Sequence, residues 1–203
     1  MGYVIKKNPI GIDIVINDII ESMYEDLISA GWSNYEAYHR CYKNPKNKDG
    51  AIIPEAYTSK YDGNDEYEEV LLNDKFNSTS FFLTGDTTEY SDGNYKVPLS
   101  IIFQLNSVEL YPKLGHRADE ESRNDAIVSI NNSPYGNSIK SIVTDVPNVY
   151  AEFDTEGIIF TDMSPFHVFR VNLEVLVDYS CDYYCTHPEG GGFSYINDSG
   201  FDN

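Results

Sequence analysis

Between Phe169 and Asp178 the chain alternates with a period of two. Phe169, Val171, Leu173, Val175 and Val177 fall on one side, Arg170, Asn172, Glu174 and Asp178 on the other, and only Leu176 breaks the pattern. This predicts a strand over 166–179 with one buried and one wet face. A one-residue slip would turn every apolar side chain outward, so its register is fixed, and we expect it to be a central or closing strand. From Ile12 to Ala30 the period changes: Ile12, Ile16, Ile19, Ile20, Met23 and Leu27 recur at helical spacing, Asp13 lies in the first turn or caps it, and Gly31 supplies the stop. Asp18, Glu21, Glu25 and Asp26 form the expected solvated face of this helix. In Val97–Leu110, Ile101, Phe103 and Leu105 alternate with Ser100, Gln104 and Asn106 before Val108 and Leu110 switch parity, which predicts a long strand with a bulge near Asn106 and Ser107.

Weaker patterns fill the rest. Trp32–Lys43 is dense in aromatics and predicts a short strand, followed by the polar turn NPKNKDG. Residues 51–57 suit a strand that Pro54 places at an edge, 60–69 form a charged loop, and 70–84 suit an irregular strand pair or one bent strand closed by GDTTEYSDGN. Residues 117–131 place acids in a first turn and Ala126, Ile127 and Ile130 near the end, as a short helix does. Shorter strands are expected over 139–153, with a break at Pro147, and over 158–160. The fold class is α+β: a mixed, largely antiparallel sheet packed by two helices. One domain covers 12–180, with a loop-rich insertion at 44–96. It is flanked by an N-terminal arm, 1–11, and a Gly-rich C-terminal tail, 181–203, whose residues 186–203 are expected to be mobile until a partner orders them.

A chain of 203 residues suits one domain with a sizeable core. Charge then narrows the possible partners. The formal net charge is −19, and from Ser141 onward 11 acidic residues face one base, Arg170, while Lys6, Lys7, Arg40, Lys43, Lys46 and Lys48 gather in the first 48 residues. Such a surface repels a phosphate backbone, which argues against sequence-reading nucleic-acid binding but suits a passage through which DNA moves without adhering. Seventeen tyrosines and ten phenylalanines fit a β-rich protein, and tyrosine also suits wet interaction surfaces. No apolar run follows the basic pair Lys6–Lys7, so neither a secretory signal nor a membrane span is expected, and three cysteines do not make a disulfide framework; these signs point to a reducing cytoplasm.

Residues that could carry chemistry are few. Cys181, Cys185 and His187 present thiolate and imidazole at C-x3-C-x-H spacing, with His39 and Cys41 as completing ligands; zinc prefers these ligand types, but the spacing departs from the usual knuckle, and small, partly buried cysteines are the favoured reading. Cys41 with His39 offers a nucleophile and a base without a surrounding signature. Asp62, Asn64 and Asp65 form half of a calcium loop without its glycine spacing or distal Glu. Paired acids such as Glu68–Glu69 read as solvated surface. No catalytic residue, cofactor or metal is therefore assigned.

The order of elements resembles the plan of tail-terminator and neck-ring proteins of tailed bacteriophages. It runs from a helix at 12–30 through an aromatic strand at 38–43 and a long strand at 97–110 to a short helix beginning RADEES and a last alternating strand ending VLVDYS. In that family a helix pair packs on a mixed sheet, and identical subunits close a ring between head and tail. The acidic charge, tyrosine richness and glycine-rich tail are similar to the ring proteins of crAss-like phage necks. The likeness covers the layout of 12–180, and the stretch from Lys43 to Val97 is longer than a minimal tail terminator needs. The resemblance implies a non-enzymatic structural virion protein, a head-tail connector made in the host bacterial cytoplasm and located in the virion neck. Its implied partners are other copies of itself in a six- or twelve-fold ring, the portal or another neck ring protein, tail proteins, and genomic DNA crossing the lumen. The wet face of the 166–179 strand, Arg170, Asn172, Glu174 and Asp178, is then a candidate subunit or lumen surface, with plain solvent-facing sheet as the alternative. An alternative reading is a β-rich binding module that uses exposed tyrosines for carbohydrate or peptide.

Overall fold

The structure is a computed structural model that describes residues 2–45, 52–57, 67–72, 75–91, 94–114, 118–155, 164–177 and 193–197. Its elements in chain order are β1 (Gly2–Lys6), α1 (Ile12–Ser29), β2 (Tyr35–Arg40), β3 (Tyr42–Pro45), β4 (Ile52–Ala56), β5 (Glu68–Glu69), β6 (Ser78–Thr84), β7 (Glu89–Ser91), β8 (Asn94–Asn106), α2 (Ser107–Leu110), α3 (Asp119–Asn132), β9 (Ile139–Val143), α4 (Val146–Val149), β10 (Phe166–Val177) and β11 (Phe193–Asn197). The large sheet runs β11-β1-β2-β6-β8-β10-β9, with β7 paired to the start of β8. The β1–β2 and β2–β6 pairs are parallel and the others antiparallel, so the class is α+β with a mixed, largely antiparallel sheet.

The strand with the clearest alternation, β10, pairs along its whole length with β8, from Phe166↔Asn106 to Val177↔Tyr95. Phe169, Val171, Leu173, Val175 and Val177 are buried, and Leu176, the exception to the alternation, stands 60% exposed. The strand lies between β8 and β9, one place in from the edge, so it is neither the centre nor the margin of the sheet.

Both faces of the sheet are covered. On one, the apolar stripe of α1 meets Tyr35, Phe82, Ile101, Phe103, Phe169 and their neighbours, and α3 adds Ala126 and Ile130. The buried positions of α3 are otherwise small, Ser122 and Ser129, so the helix can approach closely, and each hydroxyl is satisfied by the carbonyl three residues back. Polar links then hold α3 and the turn after it to α1: Tyr135 Oη donates to Asp18 Oδ2 at 3.1 Å and Asn132 Nδ2 to Asp26 Oδ2 at 2.7 Å. Two members of the expected solvated acidic face of α1 thus serve as acceptors between helices. Trp32, buried after Gly31 ends α1 at φ 101°, donates through Nε1 to Tyr111 Oη at 3.0 Å, and Tyr111 donates to Asp125 Oδ2 at 2.6 Å.

On the opposite face a second core gathers Val4, Tyr38, Cys41, Phe81, Leu83, Ile102 and Val168 under Ala56, Tyr57, Val70, Val149, Tyr150 and Phe153. The expected loop-rich insertion supplies much of this cover: β3, β4 and β5 form a separate three-stranded sheet, and buried Gln104 of β8 holds the following segment by donating to the Val70 carbonyl at 2.9 Å and accepting from Leu72 N.

Several expectations need correction. The N-terminal arm is a strand for residues 2–6, in register with residues 193–197 of the expected mobile tail, so these two segments pair at the sheet margin. The parity switch after Asn106 marks a change of element and not a bulge: the Asn106 side chain accepts from Val108 N and Glu109 N and caps the single turn α2. Pro54 sits in the middle strand of the small sheet, where β5 is only two residues long and the Pro54 carbonyl accepts from Val70 N. Pro147 opens the turn of helix α4, a place proline tolerates. The expected strand at 158–160 lies outside the described residues.

Phe103, fully buried, stacks on Phe169 at 4.9 Å and meets Trp32 edge-on at 6.1 Å. Phe103→Ala is expected to lower the unfolding free energy by about 3–5 kcal/mol, and Leu176→Ala by no more than about 0.5 kcal/mol. Urea denaturation of both variants against the parent chain checks this pair.

Candidate functional site

The expected subunit or lumen surface on β10 is a connected polar ladder. Arg170 donates through Nη1 to Glu152 Oε2 at 2.6 Å and through Nε to Asn172 Oδ1 at 2.9 Å. Asn172 Oδ1 also accepts from Ser100 Oγ at 2.8 Å, and its Nδ2 donates to Ser141 Oγ at 3.0 Å. Glu174, further along, meets Lys140 at 3.2 Å. The Arg170 side chain is only 15% exposed, so its ion pair with Glu152 is partly desolvated and holds the segment after α4 to the sheet. Arg170, Asn172 and Glu174 are thus brought together on one face as the alternation requires, but their hydrogen-bonding groups are engaged with one another and with the neighbouring strands. Asp178 lies outside the described residues.

A second polar cluster lies at the start of α1. Gly11 occupies the cap position without a side-chain cap, and Asp13, expected as a cap or first-turn acid, turns inward to ion-pair with Lys6 Nζ at 2.6 Å and Arg40 Nη2 at 3.3 Å. One carboxylate therefore joins β1, α1 and β2. Asn17, one turn on, accepts from Lys6 N at 3.1 Å and donates to Lys6 O at 2.9 Å, which clamps the end of β1 as a further strand would. His39 lies beneath this cluster. Burial pushes its imidazole down to about 4, against the pull of nearby Asp13.

His39 and Cys41, considered together for metal binding and for nucleophilic chemistry, have different surroundings. His39 is placed among Asp13, Arg40 and Lys6. Cys41 belongs to the second core, where its thiol donates to the Tyr42 carbonyl at 3.3 Å and burial drives its ionisation well above the ordinary range. A thiol held protonated in an apolar pocket is a poor nucleophile. Among the described residues no group of three or more His, Cys, Asp or Glu side chains is placed to hold a metal ion. Cys181, Cys185 and His187 lie outside the described residues, as do Asp62, Asn64 and Asp65.

The small sheet gathers tyrosines: Tyr57 and Tyr67 lie with ring centroids 4.1 Å apart, Tyr42 meets Tyr67 edge-on at 5.1 Å, and the Arg40 guanidinium lies 5.9 Å from the Tyr42 ring centre. A shallow depression beside them is lined by Arg40, Tyr42, Lys43, Thr84 and Asp86, and Lys43 pairs with Asp86 at 3.1 Å.

Sequence reasoning missed Asp13 as an ionic junction and Glu152 as the partner of Arg170. One signal was available for the first: Asp13 and Asn17 fall on the same stripe of α1 as Ile20, Tyr24 and Leu27, and an acid–amide pair one turn apart on a buried stripe calls for polar partners. Searches against known protein families, curated proteins and solved structures found no match.

His39 sets a pH dependence. Its folded value lies below that of the free imidazole, 6.5, so the unfolded chain takes up the proton first. This contribution to stability is complete above pH 6.5 and is lost as pH falls from there to about 4. The difference in unfolding free energy between the parent chain and His39→Gln is expected to shrink by about 3 kcal/mol across that window, as denaturation at successive pH values would measure.

Proposed function

We propose that the chain is a structural virion protein of the phage neck, a head-tail connector that assembles with copies of itself into a ring, joins portal or neck proteins to the tail, and lets DNA pass. One observation carries the reading. The large sheet ends in two different strands, β9 at one side and β11 at the other, and among the described residues each has a strand partner on one side only. Two unlike margins at opposite ends of one body suit a head-to-tail contact, which closes into a ring when the rotation allows it. The net charge of −19 agrees with a passage that DNA crosses without adhering. The order of helices and strands agrees with the tail-terminator plan. The polar ladder Arg170–Asn172–Glu174 is then a rigid wall, suited to facing a neighbour or the lumen without rearrangement.

Charge makes the reading testable. Copies that each carry −19 repel one another, and salt screens that repulsion. Light scattering and negative-stain imaging of the purified chain should find closed rings whose population rises as sodium chloride increases from about 50 to 500 mM, where the screening length falls severalfold. A chain that stays monomeric at every salt concentration, and that captures neither portal nor tail proteins, would sink the proposal.

The tyrosine group Tyr42, Tyr57 and Tyr67, with Arg40 beside it, favours a second reading: a binding module for carbohydrate or peptide, since Tyr42, backed by the half-buried Tyr67 and the buried Tyr57, presents a ring beside a guanidinium at the surface, where both are suited to stack on sugars. Clear hits on a glycan array, from a chain that forms no ring, would select that reading instead.

A further inference from the structure

We propose that β11 is an exchangeable strand which, in the assembled protein, completes the β1 edge of a neighbouring copy instead of its own. The inference rests on the ring reading above and names the contact that would build the ring.

The acceptor is anchored without the donor. β1 pairs with β2 at only two positions, Gly2↔Glu36 and Tyr3↔Ala37, but three further contacts hold it. Asn17 clamps the Lys6 backbone, Asp13 binds the Lys6 ammonium, and Val4 is fully buried in the second core. Tyr3 also packs on Tyr24 of α1, with ring centroids 4.9 Å apart. β1 can therefore stay in place when β11 leaves, presenting a strand edge ready to receive another. Among the described residues β11 pairs with β1 and with no other strand, in an unbroken register from Gly2↔Asn197 to Lys6↔Phe193. The same backbone bonds form whichever copy supplies the strand, so exchange preserves this pairing.

Position favours exchange. β10, the element before β11, lies five strand steps away across the sheet, about 24 Å at the usual ~4.8 Å spacing. Residues 178–192 can reach that far, since so many residues span roughly 50 Å when extended. In a head-to-tail neighbour, however, the β10 end of one copy adjoins the β1 end of the next, and the chain crosses a junction instead of a whole sheet.

The margins also differ in how they are guarded. β9 carries Lys140 at a break in its register with β10, between the pairs Asn172↔Ser141 and Leu173↔Ile139. A lysine and a bulge are devices that keep edge strands from adding partners. The sequence of β11, FSYIN, has no charge and no proline, and Ile196 is 39% exposed. β1 and β11 together contain one lysine and no acid, so two acidic copies meet there with least repulsion.

The test is a disulfide placed across the paired strands. Tyr3→Cys with Ile196→Cys, in a background carrying Cys41→Ser, Cys181→Ser and Cys185→Ser, puts two thiols at directly opposed positions. Ile5→Cys with Ser194→Cys provides a second pair if the first disturbs packing against Tyr24. After mild oxidation of the assembled protein, exchange predicts a ladder of covalently joined chains on a non-reducing denaturing gel. Single variants co-expressed with one another should give a band of twice the chain mass that neither gives alone. Light scattering of the same samples separates the failures. Rings that resolve into single chains with internal disulfides overturn the exchange and leave the ring reading intact. Monomers with internal disulfides overturn both. Absence of either disulfide means that β11 does not hold this register in the assembly, and overturns the exchange equally.

Discussion

The antiparallel ladder between β8 and β10 is the constraint on which the rest of the structure depends. It joins two long strands along the full length of β10 with no slip, from Phe166↔Asn106 to Val177↔Tyr95. A fixed register turns Ile101, Phe103, Phe169 and Val171 toward the helices while Ile102 and Val168 turn toward the second core. Each face then demands its own cover. α1 and α3 supply one layer, and the three-stranded sheet, Val70 and the segment around α4 supply the other. Slippage by one residue would place Arg170 and Asn172 among the apolar side chains of the helix layer and Phe169 in the polar ladder, so the two layers reinforce a single alignment.

How far the fold was legible follows from how local each signal is. The alternation of 169–177 and the helical spacing of 12–27 are repeated many times within their own segments, and both elements formed where the pattern placed them. The parity switch after Asn106 was visible, but choosing a helical turn over a bulge required knowing that the Asn106 side-chain Oδ1 would accept from Val108 N and Glu109 N. The ends of the chain were legible in composition only. GYVIK and FSYIN each form one short strand that means little until it meets the other, and nothing local to residues 2–6 announces a partner near residue 195. The same holds for the insertion, whose strands are short and whose cohesion comes from tyrosine contacts and from Gln104, a residue of a distant strand.

The polar residues divide similarly. Arg170, Asn172 and Glu174 could be placed on one face from sequence because period two does that by itself. That Arg170 and Asn172 join one network while Glu174 pairs with Lys140 could not be read, since Glu152, Ser100, Ser141 and Lys140 come from other segments. A wet face was expected, but Arg170 is mostly covered, because a lone base in so acidic a stretch attracts a carboxylate and draws its segment down with it. Asp13 follows the same logic within the lysine- and arginine-bearing N-terminal part of the chain. With Lys6 on one side and Arg40 on the other, one acid neutralises two bases, and the neighbouring His39 stays neutral because protonating it would add a further positive charge at a buried site.

These two junctions give the sheet different kinds of margin. At the β9 side the Arg170 ladder ties edge strand, central strands and the α4 segment into one unit, and Lys140 marks the outermost strand with charge. At the β1 side the Asp13 junction and the Asn17 clamp secure β1 from within the fold and make no use of β11. A strand held from inside needs nothing on its outer flank to remain ordered, so what lies on that flank is free to be a matter of assembly. The distribution of charge points the same way: acids dominate the chain as a whole, yet they are missing from the two strands that bring its ends together. On the proposed strand exchange, a body that repels its own copies almost everywhere would associate through the surface where repulsion is weakest, and that surface is also the one whose backbone would be ready to pair.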